Sequence, residues 1–393
     1  MQRRIFVLAV WLFFLVSCNV KTSDEIPVVG KLSFIAAGSR HALVVDRGGN
    51  LYGAGSNDYY QLTKIEDGTL EGIGEVDLYT FTRISGVSGV EKACGGENFT
   101  IVFTEDGDIF AFGDNLYGQL GDGTTIRRES PIKISSSAHI NPEKIACGNY
   151  HAVALSGGRV FAWGRNSEGE LGNGNKNDSS TPLLVSSLIN IVDVAAGGLY
   201  TLAVDTNGAI WAWGKNDHGQ LGNGETRDSL IPSRVTGLDN YRAIKVAAGK
   251  QHSLAVFDSG IVAAWGYNFN GQIGDGSETD RHTPIIIDDI KDVTDVCAGE
   301  AHSVALKNDG TVWTWGGNQY GQLGIGSTDS YNTPQEVKFP EEGVSVKGIA
   351  CGANFTMALD SKGYLWMWGR GEDGEIGNGE TENTDAPIKV DIE

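Results

Sequence analysis

The sequence has no run of lysine and arginine. Its 30 Lys and Arg face 50 Asp and Glu, giving a formal net charge of −20 at pH 7. A surface of that sign repels a phosphate backbone and excludes general nucleic-acid binding. There is no Cys-x-x-Cys, no Gly-x-Ser-x-Gly and no His-Glu-x-x-His, and no Ser/His/Asp set stands out. Nothing therefore marks a nucleophile or a zinc-hydrolase helix, and nothing selects a catalytic pair among the 50 acids. No apolar run is long enough to stay in a membrane. The longest candidate, Ile5 to Val16, falls well short of about 30 Å of hydrocarbon as a helix.

That apolar run has a different meaning. Arg3 and Arg4 precede it and Leu15-Val16-Ser17-Cys18 closes it, the layout of an export signal that resembles a bacterial lipobox. The resemblance implies cleavage before Cys18, a diacylglycerol on its thiol, and acylation of the new amine. Residues 1–17 are then signal peptide, 18–29 a tether, and 30–393 the folded domain. Two or three acyl chains, at about 0.8 kcal/mol per buried CH₂, would hold the protein on a membrane.

What the sequence has in abundance is glycine, 55 residues, among 40% hydrophobic residues. This composition fits short buried segments joined by tight turns. Self-comparison shows why. "ACGNYHAVALSGGRVFAWGRNSEGELGNG" begins at Ala146, "CAGEAHSVALKNDGTVWTWGGNQYGQLGIG" at Cys297, and five further copies complete a set of seven. The glycine after the small pair falls at 38, 96, 148, 197, 249, 299 and 352, and the Trp–Gly glycine at 55, 113, 164, 214, 266, 316 and 369. The glycine-rich "GQLGNG" loop is therefore architecture. A phosphate cradle would also need a helix start or a lysine after its last glycine.

Each copy reads as four short strands: "HSVAL" (302–306) and "TVWTW" (311–315) around the turn "KNDG", a Pro-x-x-Val piece, and a piece leading into the small pair, as in "VTDVCAG" (293–299). Four strands per copy at a period near 50 predict an all-β, seven-bladed β-propeller of four-stranded antiparallel blades. Alternation puts His302, Val304 and Leu306 on one face and Ser303 and Ala305 on the other, so a bulky face can nest on a small one. Trp211/Trp213, Trp313/Trp315 and Trp366/Trp368 are core residues on this reading. The piece "APIKV" (386–390) is left over at the end, and is expected to pair with the first copy, closing the ring with a C-terminal strand.

"CGNYHAVAL", "VFAWGRNSEGELGNG" and the following Pro-x-x-Val resemble repeats of the regulator-of-chromosome-condensation family from about residue 32 to 393. The resemblance implies a seven-bladed propeller. It leaves function open, since that family includes a guanine nucleotide exchange factor that also contacts chromatin and a secreted bacterial β-lactamase inhibitor protein. The first copy departs from the pattern, with "YYQLT" (59–63) in place of Gly-Gln-Leu-Gly and an acidic insertion near Glu66 to Asp77. The seventh has Gly371 where others have Asn.

His41, His151, His252 and His302 share one repeat position with Phe99, Tyr200 and Phe355, so it reads as a packing position and not as a metal site. Ligands on different blades would be too scattered for zinc bonds of about 2.0–2.1 Å. Cys94, Cys147, Cys297 and Cys351 lie at the small pair and are expected to be buried and unbridged, beyond the roughly 7 Å Cα limit. Acidic turns such as "GDGSETD" (274–280) do not fit a calcium loop with its closing Glu. No cofactor or metal is expected.

The loops after the small pair and after Trp–Gly crowd one face. There Tyr59, Tyr117, His218, Phe269 and Tyr320, with Leu116 beside them, offer aromatic anchors for a protein partner. The expected function is a non-enzymatic binding module, lipid-anchored in a bacterial cell envelope, monomeric, binding an unidentified protein through that face. The alternatives are an exchange factor for a small GTPase, and an envelope enzyme or polysaccharide-binding propeller with acids gathered in its channel.

Overall fold

A turn closed by glycine sets the geometry of each copy. In the sixth, His302–Lys307 and Val312–Gly316 form a hairpin whose turn ends at Gly310 (φ 84°), where the Gly310 N–H bonds Lys307 O at 3.0 Å. Val293–Ala298 pairs on the other side of the first hairpin strand, and Tyr331–Glu336 pairs with the second. The computed structural model describes residues 31–63, 76–134 and 140–392. Within these, all seven copies repeat the plan as seven four-stranded antiparallel sheets in consecutive strand order, with no helix. The sheets stand around an axis with the first strand of each innermost. The signal segment, Cys18, the tether and most of the acidic insertion in the first copy lie outside the described residues.

The blades shingle as the alternation predicts. Phe99, Ile101 and Phe103 of the second blade pack on Ala152, Ala154 and Trp163 of the third. Tyr200, Leu202 and Val204 of the fourth pack on Ala255, Ala263 and Trp265 of the fifth. Trp163, Trp213, Trp265, Trp315 and Trp368 are fully buried. An aromatic side chain that buries about 150–250 Å² contributes roughly 4–6 kcal/mol at about 25 cal/mol per Å². Each of these indoles also donates Nε1–H to a backbone carbonyl in the preceding blade's loop, such as Trp213 to Glu170 O at 2.8 Å. Burial and direction are thus specified together.

Two expectations fail. The C-terminal piece does not clasp the first copy. Thr384–Val390 is the outer strand of the seventh blade, paired with Leu365–Gly369 in the register Leu365↔Val390 and Gly369↔Thr384. Every blade is one contiguous stretch of chain, and the first blade has its own outer strand, Leu78–Arg83, which lacks the proline that marks this strand elsewhere. The ring closes by face-to-face packing instead. Leu32, Ile35 and Ala42 share a core with Phe355, Met357 and Leu365, and the N–H of Gly379 bonds Tyr79 O at 2.8 Å.

The cysteines are bridged. Cys94–Cys147 joins the second and third blades and Cys297–Cys351 the sixth and seventh, each with Cα atoms 5.7 Å apart. The bonded residues are not equivalent: one stands two positions before the glycine, the other one position before it. Alternation turns those two positions to opposite faces, so they meet across the cleft between neighbouring blades. The innermost strands are also where the blades converge.

Candidate functional site: the loop-bearing rim

Each innermost strand runs up to its glycine and turns, and each third strand ends at Trp–Gly or its equivalent, so both loop sets emerge on one face. Around the axis the short loops hold one another. The N–H of Ser39 bonds Gly96 O, Glu97 bonds Asn149 O, Asn149 bonds Gly198 O, Gly198 bonds Gly249 O, Lys250 bonds Gly299 O, Glu300 bonds Ala353 O, and Ala353 returns to Ser39 O, at 2.8–3.3 Å. This is an unbroken circuit of backbone bonds through all seven blades. Inside it lies an axial pit lined by the small residues, with Arg40, Glu97, Lys250, Glu300 and Arg370 at its mouth.

The long loops are stiffened by their own side chains. In every copy the Gln or Glu of the Gly-Gln-Leu-Gly stretch accepts the N–H two residues earlier, as Gln322 does from Tyr320 at 3.0 Å. The Asn after Trp–Gly accepts the leucine or isoleucine N–H, as Asn318 does from Leu323 at 2.9 Å. The seventh loop has Gly371 in place of that Asn, and keeps the bond in which the N–H at this position is accepted twelve residues on, here by Asn383 at 3.0 Å and in other copies by residues such as Asp178 and Asp228. Satisfied backbone groups leave the tip residues on a rigid frame.

The predicted rim residues are all on this face, in three settings. Phe269 (69% exposed), Leu116 (66%) and Tyr59 (39%) stand into solvent. Tyr117 and Tyr320 are half-buried beneath an arginine of the next blade: the guanidinium of Arg165 sits 5.8 Å from the Tyr117 ring centroid, and that of Arg370 sits 6.0 Å from Tyr320. His218 is held by Asp280 (Nδ1 to Oδ2, 2.8 Å) and packs edge-on against Tyr267, which stacks with Phe269. These residues do not gather into one pocket. They are spaced around the crown.

Several participants escaped the sequence reading. Tyr150 packs against Tyr117 with centroids 5.5 Å apart, also under Arg165. Glu170 and Glu375 replace the loop glutamine in the third and seventh copies and are fully buried. Burial pushes both carboxyls up, that of Glu375 to about 7. Glu375 is paired with Arg370, whereas Glu170 leaves Oε1 without a hydrogen bond, 3.8 Å from Arg165. A signal existed: only these two copies have Glu in that slot and only they have Arg after Trp–Gly.

The shared histidine position is buried, as a packing position should be, but polar in use. Nε2 of His41, His151, His252 and His302 lies 3.0–3.1 Å from a Thr or Ser hydroxyl on the following blade. Burial drives these imidazoles down to about 3, or about 4 for His252. Neutral, sealed and one per blade, they join blades and reach no solvent. The acidic turns are likewise internally satisfied: Arg281 Nε donates to Asp275 at 2.7 Å and Arg128 Nε to Asp122 at 2.8 Å. Among the described residues no cluster of three or more His, Cys, Asp or Glu is arranged to hold a metal.

A closed seven-bladed propeller with one loop-lined face defines the class. Residues 184–393 match the RCC1-like domain, and residues 106–155 and 157–204 match the regulator of chromosome condensation (RCC1) repeat. The ultraviolet-B receptor UVR8 of Arabidopsis thaliana is 31% identical over 366 residues, covering 91% of this chain and 81% of that protein. The human E3 ubiquitin-protein ligase HERC2 is 33% identical over 349 residues, 87% of this chain but 6% of the ligase. Of solved structures, yeast RCC1 (Prp20) is 22% identical with a TM-score of 0.75 over 84% of this chain and 80% of that one. Human WBSCR16 is 24% identical, with a TM-score of 0.72 over 79% and 84%. The chain belongs to the RCC1-like propeller family.

Proposed function

We propose that this chain is a non-enzymatic protein-binding module, held by lipid on Cys18 in a bacterial cell envelope, with the loop-bearing rim as its binding face. The observation that carries this reading is the polarity of the ring. The first strand starts at Leu32, whose N–H bonds Gly363 O in a hairpin turn at 3.3 Å, and it runs to Ala37 beside the rim. A tether joined before Leu32 leaves from the turn face. The rim, with Leu116 and Phe269 exposed on rigid loops, then points away from the membrane.

Other features support the same reading. Two disulfides suit an oxidising compartment and sit poorly with a cytosolic exchange factor. Exposed aromatic and aliphatic anchors on a stiff frame suit a protein interface. Among the structural relatives, yeast RCC1 was solved bound to Kap60 and is described with its binding to Gsp1p and histones. Those partners belong to that protein; what carries over is the kind of role.

Crosslinking and pull-down from intact envelopes tests the proposal. Tyr59→Ala, Leu116→Ala and Phe269→Ala together should weaken partner capture at least tenfold in a protein of unchanged melting temperature. Cys18→Ala should move the protein out of the membrane fraction. Undiminished capture would reject the rim, and retention in the membrane would reject the anchor.

A further inference from the structure

The chemistry of the rim narrows the partner, on the reading above that the rim binds protein. Two residues form the tip of each long loop, at 58–59, 116–117, 167–168, 217–218, 269–270, 319–320 and 372–373. Asp58, Glu168, Asp217, Glu372 and Asp373 are among them, and no lysine or arginine is. Arg370, Lys215 and Arg40 lie close by, partly buried and committed to these acids. Arg370 (16% exposed) pairs with Glu372 at 3.0 Å and Asp373 at 2.6 Å. Lys215 (28%) pairs with Asp217 at 3.0 Å, and Arg40 lies between Asp58 and Asp373 at 3.7 and 3.4 Å. The partnered carboxylates Asp58, Asp217 and Glu372 remain about half exposed, at 51, 49 and 50%.

Exposed cations lie beside the tips: Lys176 (52% exposed) stands 3.8 Å from Glu168 on the third blade, Arg227 (83%) pairs with Glu225 at 3.0 Å on the fourth, and Lys250 (48%) pairs with Glu300 on the fifth. The arc of tips from Asp217 on the fourth blade past Phe269, Glu372 and Asp58 to Leu116 on the second carries acidic, apolar or neutral polar residues and no Lys or Arg. Across these tips the charge is negative, and exposed hydrocarbon at Phe269 and Leu116 stands among the carboxylates. Coulombic attraction across such an arc favours a segment with the opposite charge and matching apolar spacing. A second copy of this chain, itself at −20, is repelled.

We propose that the partner presents a basic segment in which Lys or Arg alternates with bulky apolar residues, its cations opposite Asp217 and Glu372 and its apolar side chains against Phe269 and Leu116.

The test uses the full-length protein and three labelled synthetic peptides of equal length, alternating Arg/Leu, Arg/Ser and Glu/Leu, by fluorescence anisotropy at 150 mM salt. The Arg/Leu peptide should bind best. Asp217→Lys with Glu372→Lys should weaken it at least tenfold and Phe269→Ala about as much, while Asp288→Lys with Asp289→Lys on the turn face should leave it unchanged. Equal binding of Arg/Ser, preference for Glu/Leu, no binding at all, or equal loss from the turn-face variant overturns the proposal. A Phe269-dependent dimer in sedimentation would name a second copy as occupant and overturn it too. A photo-crosslinker at positions 116 and 269 in intact envelopes separates the two levels. A crosslinked protein with no basic segment sinks this inference and leaves the rim as binding face; no crosslink at either position sinks both.

Discussion

Nε2 of His151 on the third blade donates to Oγ1 of Thr201 on the fourth, 3.0 Å away. The direction follows from the hydroxyl, whose single proton goes to the carbonyl of Glu170 at 2.9 Å. The imidazole is therefore neutral with its hydrogen on Nε2, and its Nδ1 has no partner. The same relation ties His41 to Thr100, His252 to Ser303 and His302 to Thr356. Where the slot holds Phe99 or Phe355, the next blade presents Ala152 or Ala42. Each seam thus carries a matched pair, polar with polar or apolar with apolar.

Acid should open these seams. The native histidines resist protonation down to about 3, or about 4 for His252, whereas the unfolded chain takes protons near 6.5. Their full contribution is present above pH 6.5 and is lost as pH falls toward the native values, by up to about 1.4 kcal/mol per histidine per pH unit. Denaturant titrations between pH 7 and 4.5 measure the slope. His302→Phe with Thr356→Ala, which copies the Phe99–Ala152 seam, should fold and flatten that slope by about a quarter. An unaltered slope would show that the histidines do not govern acid stability.

Glu375 has the opposite sign. Burial raises its carboxyl from 4.5 to about 7, so the native state holds a proton that the unfolded chain has released, and stability falls as pH rises from 4.5 through 7. Glu375→Gln restores the residue used in most copies. It should stabilise the protein at pH 8 by on the order of 1–3 kcal/mol and change little at pH 4. Equal effects at both pH values would refute the assignment.

Reduction should weaken the ring without dismantling it. Each disulfide closes a loop of 53 or 54 residues. Chain entropy puts the loss at about 4 kcal/mol for each such bridge. Cys147→Ser and Cys351→Ser should each lower the urea midpoint, and dithiothreitol should bring the wild type to the level of the double variant. A thiol assay that finds four accessible cysteines in the folded domain under non-reducing conditions would contradict the pairing.

Two glycines should tolerate no side chain, for different reasons. Gly316 has φ 102°, and a Cβ there would lie 2.5 Å from Ala301 O. Gly299 has an ordinary φ, but its Cβ would strike the His302 imidazole and approach Gly352 O to 2.6 Å. Alanine at either should cost about 3 kcal/mol or more, read from thermal melts. Only the Gly299 variant should be partly rescued by His302→Ala, because only there is the obstacle a side chain.

The period, the blade count and the buried tryptophans were legible because a propeller repeats its packing solution, and seven imperfect copies average out local noise. The seam and the bridges were not. The strand "APIKV" reads as surplus because the first copy's outer strand, "LYTFTR", lacks the proline that flags the others. The four cysteines look like one repeat position, but a one-residue offset between them reverses the direction of the side chain. On the rim, Tyr59, Leu116 and Phe269 could be read as exposed from loop position alone. Tyr117 and Tyr320 could not, since what covers them is an arginine from the neighbouring blade, visible only as the paired Arg and Glu at 165/170 and 370/375.

Because no strand crosses from one blade to the next among the described residues, the junction between the seventh and first sheets is made by face-to-face packing, as the others are. Such a chain has no privileged starting point. Joining its ends and cutting it anew between two other blades would give a circular permutant with the same sheets and the same inter-blade contacts.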